Sequence, residues 1–250
     1  MARKIVPLHY TAHLGDGPAV VLIHGAGGNH LVWPPALRRL PGASTYAIDL
    51  PGHGRSEGAG RETIEAYAAD VMSFLDALGI QQAVLVGHSM GGAIAQTIAL
   101  SHPGRVSGLV LLSTAARLRV APAILEGLRT DFEGTVRLIS QWAWGPDADP
   151  AWIERGREMM AACGSQVLYR DFLACDRFDV RDQVAAITCP LLVLTGSEDR
   201  MTPSRFGRWL AEQAPRGKFV LIEGAGHMLA LERPQAVLEN VTTFLGSLAA

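Results

Sequence analysis

Ser89 lies in "GHSMGG", where the apolar run "AVLV" gives way to a helical pattern. Glycines two residues to either side of a serine let a strand turn sharply into a helix, which strains the central residue and lifts its side chain out of the sheet. A hydroxyl exposed in this way suits attack on a carbonyl, but at its ordinary pKa it needs a general base and a group to orient that base. Of eight histidines, His227 in "EGAGHMLALERP" follows the last apolar run inside a glycine-containing loop and is the expected base. Asp199 in "LTGSEDRMTP" ends the preceding run and is the expected orienting acid, with Glu198 beside it turned to solvent. The remaining candidates are expected to be structural. His88 should turn away from the Ser89 side chain and pack or hydrogen-bond nearby, His24 and His53 should shape their loops, and Asp49 should hold a turn. Asp171, Asp176, Asp179 and Asp182 read as surface charges or helix caps.

Acyl transfer also needs N–H donors aimed at the developing oxyanion, each worth roughly 3 to 4 kcal/mol. The Met90 N–H, first in the helix after Ser89, is one. The second is expected from "HGAGG", residues 24–28, at Ala26, with Gly27 as the alternative. A phosphate cradle competes for this glycine-rich stretch, but the chain lacks both G-x-x-x-x-G-K-[ST] and G-x-G-x-x-G.

Such groups need a scaffold that brings distant loops together. Six short apolar runs, each ending in glycine or polar residues, "AVVLIHG", "TYAIDLPG", "AVLVGHS", "VSGLVLLST", "PLLVLTGSED" and "KFVLIEGAGH", suit strands buried on both faces. Helical spacing separates several of them. Ile64, Tyr67, Ala68, Val71, Phe74, Leu75 and Leu78 predict a helix capped by Thr63 and stopped by Gly79. Further helices are expected after Trp33, Ser89, Pro203 and Pro234. The alternation predicts an α/β fold, a mostly parallel doubly wound sheet with an all-helical cap insertion. The core comprises residues 1–114 and 189–250, and the cap residues 115–188, where Ile124, Leu125, Leu128, Phe132, Val136 and Ile139 fall at helical spacing. In such sheets ligands bind beyond the carboxyl ends of the strands, where every notable polar cluster of this chain falls.

Composition narrows the partners. A formal net charge of −2 without like-charge runs gives no nucleic-acid surface and no polybasic membrane patch. Lys4 and Lys218 are the only lysines, and neither lies in a motif. The N-terminal segment is positive but has no apolar region behind it, and no run approaches the roughly 18 to 20 residues of a membrane span, so a soluble cytoplasmic protein is expected. Cys163, Cys175 and Cys189 lack metal-ligand spacing and read as reduced, mostly buried thiols.

Together "HGAGG", "DLPGHGRS", "GHSMGG", "GSEDRMTP" and "GAGHMLALERP" resemble the α/β-hydrolase superfamily, in particular its compact esterase-like members with a helical cap. The resemblance runs from about Val20 to Phe244 outside the cap, and the order Ser89, Asp199, His227 matches that family's nucleophile, acid and base. It implies hydrolysis of a small-molecule carboxylic ester, of small to medium acyl chain, by water through an acyl-enzyme, with no metal and no organic cofactor. Oligomeric state stays undecided. Aspartate at the elbow would mark dehalogenases or epoxide hydrolases, and cysteine dienelactone hydrolases; this chain has serine. C–C bond hydrolases share Ser-Met-Gly-Gly but typically carry asparagine where His88 stands, and they form the alternative, followed by a ligand-binding receptor on the same fold. Specificity is expected from the cap, with a substrate pocket drawn from His24, Trp142, Trp144, Met159, Leu168, Phe172 and Met228. Arg117 and Arg119 read as a solvated pair.

Overall fold

The structure, a computed structural model, describes residues 7–248; Lys4 and the start of the N-terminal segment lie outside them. Seven strands, β1 (Tyr10–His13), β2 (Ala19–Ile23), β3 (Ser44–Ile48), β4 (Ala83–His88), β5 (Val106–Leu112), β6 (Leu191–Gly196) and β7 (Gly217–Ile222), form one sheet in the order β1-β3-β2-β4-β5-β6-β7. All neighbours are parallel except β1, which runs antiparallel to β3. The six apolar runs are β2 to β7. No strand is expected from "YTAH", because a mostly exposed edge strand carries neither an apolar run nor clean alternation; its register on β3 supplies the pairing instead.

Alternate residues of the inner strands enter two cores. Val21, Ile23 and Leu85 pack on one side of the sheet against α1 (Ile64–Ala77) and α2 (Met90–Ser101). Val20, Leu22, Val84 and Val86 pack on the other side with Trp33, Leu37 and α9 (Pro234–Leu248). Each aliphatic side chain fully buried in this way contributes roughly 1.5–3 kcal/mol, which is why continuous apolar runs fix a two-sided sheet. Thr63 caps α1 by accepting the Ala66 N–H, and Gly79, at φ 67°, ends it. After Trp33, by contrast, only a 3-10 turn over Leu37–Arg39 forms, since Pro34, Pro35 and Pro41 leave too few residues with free N–H groups for a regular helix.

Between β5 and β6 the chain forms α3 (Pro122–Thr130), α4 (Phe132–Ala143), α5 (Pro150–Ala162) and α6 (Ser165–Arg177). The apolar pattern from Ile124 to Ile139 is two helices rather than one, broken at Asp131, whose carboxylate caps α4 at the Gly134 N–H. Ile124, Leu128, Val136, Ile139, Leu168 and Phe172 make a third core of their own. After β6 come α7 (Ser204–Gln213) and, after β7, the short α8 (Leu229–Glu232) before α9. Among the described residues no helix is long and apolar enough to cross a membrane.

Candidate active site

Ser89 joins β4 to α2 at φ 53° and ψ −116°, a conformation costing an ordinary L-residue on the order of 1–3 kcal/mol. The surrounding structure enforces it: the Ser89 N–H donates to the Leu112 carbonyl, and Thr114 Oγ1 donates to the Ser89 carbonyl at 2.8 Å. A Cβ on Gly87 would stand 2.3 Å from the Gly91 carbonyl oxygen, and one on Gly91 2.1 Å from that of Ile23, so strand and helix approach this closely only because both positions lack side chains. The glycine spacing is thus a packing requirement of the elbow.

Asp199, just beyond β6, and His227, in the loop after β7, meet at the same end of the sheet. His227 Nδ1 lies 3.0 Å from Asp199 Oδ2 and 3.1 Å from Oδ1. Because a carboxylate only accepts, Nδ1 carries the hydrogen, which leaves Nε2 of the neutral ring as an acceptor. Asp199 also accepts the Met201 and Thr202 N–H groups at 2.9 and 2.8 Å and the Thr202 hydroxyl at 2.8 Å. Burial raises the Asp199 pKa, but the charge and hydrogen bond of His227 and the Thr202 bonds outweigh it and hold it at about 2. His88 turns back as expected and donates from Nε2 to the His227 carbonyl at 2.9 Å; burial lowers its pKa to about 3, so it is neutral. Glu232 accepts the Gly226 and Gly145 N–H groups, tying the His227 loop to the end of α4. Thr202 and Glu232 fall inside the quoted stretches "GSEDRMTP" and "GAGHMLALERP", but their residue types alone do not announce a role, because each acts by filling the hydrogen bonds of a loop.

A cavity of about 510 Å³ opens between this end of the sheet and the helical insertion. Ser89, His227, Ala26, Met228, Trp142 and Phe172 line it together. Trp144 and Met159 line a neighbouring cavity that shares Ala26, Met160 and Met228 with the first. Two expected pocket residues lie elsewhere. Leu168 is fully buried in the core of the insertion. His24 is fully buried as well, donating from Nδ1 to the Gly25 carbonyl at 2.7 Å and accepting the Leu50 N–H at Nε2; burial and the neighbouring His53 lower its pKa to about 3. It braces the loop and leaves the pocket to others. Arg117 and Arg119 are exposed on the cavity rim, with Arg117 beside Asp179 at 3.5 Å.

The Ala26 amide borders the same space and the Met90 amide opens α2 directly after Ser89; neither is engaged in a hydrogen bond among the described residues. The alternative donor, Gly27, is already committed: its N–H donates to Asp171 Oδ2 at 2.9 Å. Asp171 is accordingly no surface charge but a fully buried carboxylate. Asp176 accepts the Val120 N–H, and Asp179 pairs with Arg181. The three cysteines are free thiols, Cys175 buried and the others half-buried, with burial raising Cys163 to about 12 and Cys189 to about 11. His9, His30 and Asp49 alone among the described residues group like metal ligands. Both rings direct Nδ1 at the Asp49 carboxylate, which also accepts the His30 and Arg55 N–H groups, so its acceptor sites are filled by protein donors.

A strained serine on an elbow, an Asp–His pair and a mostly parallel sheet define the hydrolase class of this architecture. The alpha/beta hydrolase family matches residues 20–240, and the chain belongs to it. A pimeloyl-[acyl-carrier protein] methyl ester esterase of Neisseria meningitidis serogroup A is 34% identical over 233 residues, 87% of this chain and 73% of that protein. Among solved structures, a hydrolase from Pseudomonas aeruginosa superposes with a TM-score of 0.86 at 30% identity, covering 96% of this chain and 94% of that one. A thermophilic esterase from Thermogutta terrifontis gives a TM-score of 0.85 at 29% identity, covering 97% and 94%. The chain is a carboxylesterase-type hydrolase.

Proposed function

We propose that the protein is a serine carboxylesterase acting on esters of small to medium acyl chains. Ser89 attacks the ester carbonyl; His227 Nε2 takes the hydroxyl proton and returns it to the leaving alcohol; Asp199 holds the His227 tautomer and stabilises the imidazolium. The Met90 and Ala26 N–H groups receive the charge that develops on the carbonyl oxygen. Water then repeats the sequence in reverse on the acyl-enzyme and frees the acid and Ser89. The observation that carries this reading is that Ser89 and an Asp199-oriented His227 line one apolar-walled cavity together with Ala26, whose amide is unengaged among the described residues.

The helices of residues 115–188 serve as its cap, with Trp142, Phe172 and Ile139 forming acyl-binding wall. A volume of about 510 Å³ falls within the range of pockets for small organic ligands. The test is hydrolysis of p-nitrophenyl butyrate by the wild type and Ser89→Ala across pH. Multiple turnovers by the wild type and a loss of roughly 10⁴-fold or more in kcat in the variant are expected. Absence of turnover by folded wild type, or undiminished activity in His227→Ala, would overturn the assignment.

A further inference from the structure

The reaction above makes no use of Asp171, yet this carboxylate is fully buried on α6 and gathers donors from three separate elements. It accepts the Gly27 N–H at 2.9 Å from the loop after β2, His53 Nε2 at 2.7 Å from the loop after β3, and the Tyr67 hydroxyl from α1. The second nitrogen of His53, Nδ1, lies 3.1 Å from the Pro51 carbonyl oxygen. Both ring nitrogens therefore face acceptors, which a neutral imidazole with one N–H cannot satisfy, so His53 carries both protons. An isolated carboxylate here would be costly to bury; a cation and two further donors around it offset that cost.

Gly27 follows Ala26. On the sheet side of this turn the Gly25 carbonyl accepts the Gly28 N–H at 3.1 Å and His24 Nδ1 at 2.7 Å. On the other side Asp171 holds the Gly27 N–H. Between these two anchors stands Ala26, whose amide is unengaged and borders the cavity beside Ser89. The fit is close: Gly27 has φ 65°, and a Cβ there would be 2.8 Å from both Leu168 Cδ1 on α6 and Met160 Cγ on α5.

We propose that Asp171 is a positioning residue for the oxyanion loop: carried by the helical insertion, it fixes the Gly27 amide and thereby the direction of the Ala26 N–H. This rests on Ala26 serving as an oxyanion donor. A donor aimed at charge that exists only in the transition state affects kcat and leaves KM nearly unchanged. The clamp also depends on His53 remaining protonated. Burial lowers its pKa, but the charge and hydrogen bond of Asp171, the Pro51 carbonyl and Asp49 outweigh this and raise it. The ionisable groups packed around the ring are Asp171, Asp49, Tyr67 and His24, which is neutral and 4.9 Å away between ring centres. As pH rises through the raised pKa of His53, the ring keeps its N–H on Asp171 but loses the positive charge beside that carboxylate and the N–H to the Pro51 carbonyl.

The experiment compares wild type, Asp171→Asn and Tyr67→Phe, with functional serines counted by fluorophosphonate titration. Removal of a whole oxyanion donor costs roughly 10²–10³-fold, so a misdirected one in Asp171→Asn is expected to lower kcat per titrated site by about 10-fold or more, with KM within about threefold. Tyr67→Phe should lower kcat in the same sense by a few-fold, and the alkaline limb of kcat should move in both variants. Amide hydrogen exchange at Gly27 should quicken in both. A kcat per site within twofold of wild type, whatever the loss in Tm, would overturn the proposal. If Asp171→Asn does not fold, Tyr67→Phe decides by the same criteria. If the wild type hydrolyses no ester, the esterase reading fails by itself, and amide exchange still decides the clamp: unchanged exchange at Gly27 refutes it and faster exchange supports it.

Discussion

Ser89 and Asp199 each hold a state that the unfolded chain would not favour. Replacing Ser89 by glycine at φ 53° removes backbone strain, so Ser89→Gly is expected to raise Tm, by a stability gain of about 1 kcal/mol, while abolishing ester hydrolysis. A calorimetric scan beside an activity assay reads both effects. Asp199 has its pKa lowered from 3.8 to about 2, so its pairing stabilises the fold above 3.8 and that contribution is lost as pH falls through about 2. The sum is roughly 2 kcal/mol, and denaturant melts of wild type and Asp199→Asn should converge over that interval. At neutral pH Asp199→Asn is expected to cut kcat by about 10⁴-fold, because His227 would then adopt the wrong tautomer. Thr202→Val deletes the hydroxyl on Asp199 Oδ2 while retaining the backbone bond. A hydrogen bond to a charged group contributes about 1.5–3 kcal/mol, so a Tm loss with a modest fall in kcat is expected.

At the scale of elements, the junction of β4 and α2 tolerates no side chain where backbones touch. Gly91→Ala would drive a Cβ to 2.1 Å from the Ile23 carbonyl oxygen, where backbone and not a flexible side chain must yield. Loss of soluble folded protein is the expected outcome, read by the yield and circular dichroism of the variant. Thr63→Ala, which removes only the cap on α1, should cost about 1 kcal/mol and leave kcat unchanged. Several of these features were legible in the sequence because they are local: glycine spacing at a turn, a cap three residues before the N–H it accepts, a continuous apolar run for a two-sided strand. Others were not. The four residues of β1 pair with β3 by register alone, and Asp131 divides the helical spacing from Ile124 to Ile139 between two helices.

For the whole molecule, Ser89, Asp199 and His227 stand at one end of the sheet and the insertion walls the cavity above them; on the proposed reading the first supply the reaction and the second the acyl site. Ile139 on α4 and Phe172 on α6 face the cavity from the insertion's own core, so Ile139→Trp should shorten the pocket. The ratio of kcat/KM for p-nitrophenyl octanoate to that for the butyrate is expected to fall by about tenfold, within the 1–3 kcal/mol that small changes in a hydrophobic pocket are worth. An unchanged ratio would move the acyl site to the neighbouring cavity lined by Trp144 and Met159.

The sequence by itself determined the strands β2 to β7, the elbow and the motifs that carry Ser89, Asp199 and His227, because each rests on residues adjacent in the chain. Tertiary structure alone decided which carboxylates are buried and what they hold. Asp171 reads as one more charge on a polar helix, yet it accepts from Gly27, His53 and Tyr67, partners 144, 118 and 104 residues away. The same contacts commit the Gly27 amide and leave that of Ala26 unengaged, and burial removes His24 and Leu168 from the pocket. Hydrogen bonds between loops depend on where folded elements cross, and no local pattern of residue types encodes that position.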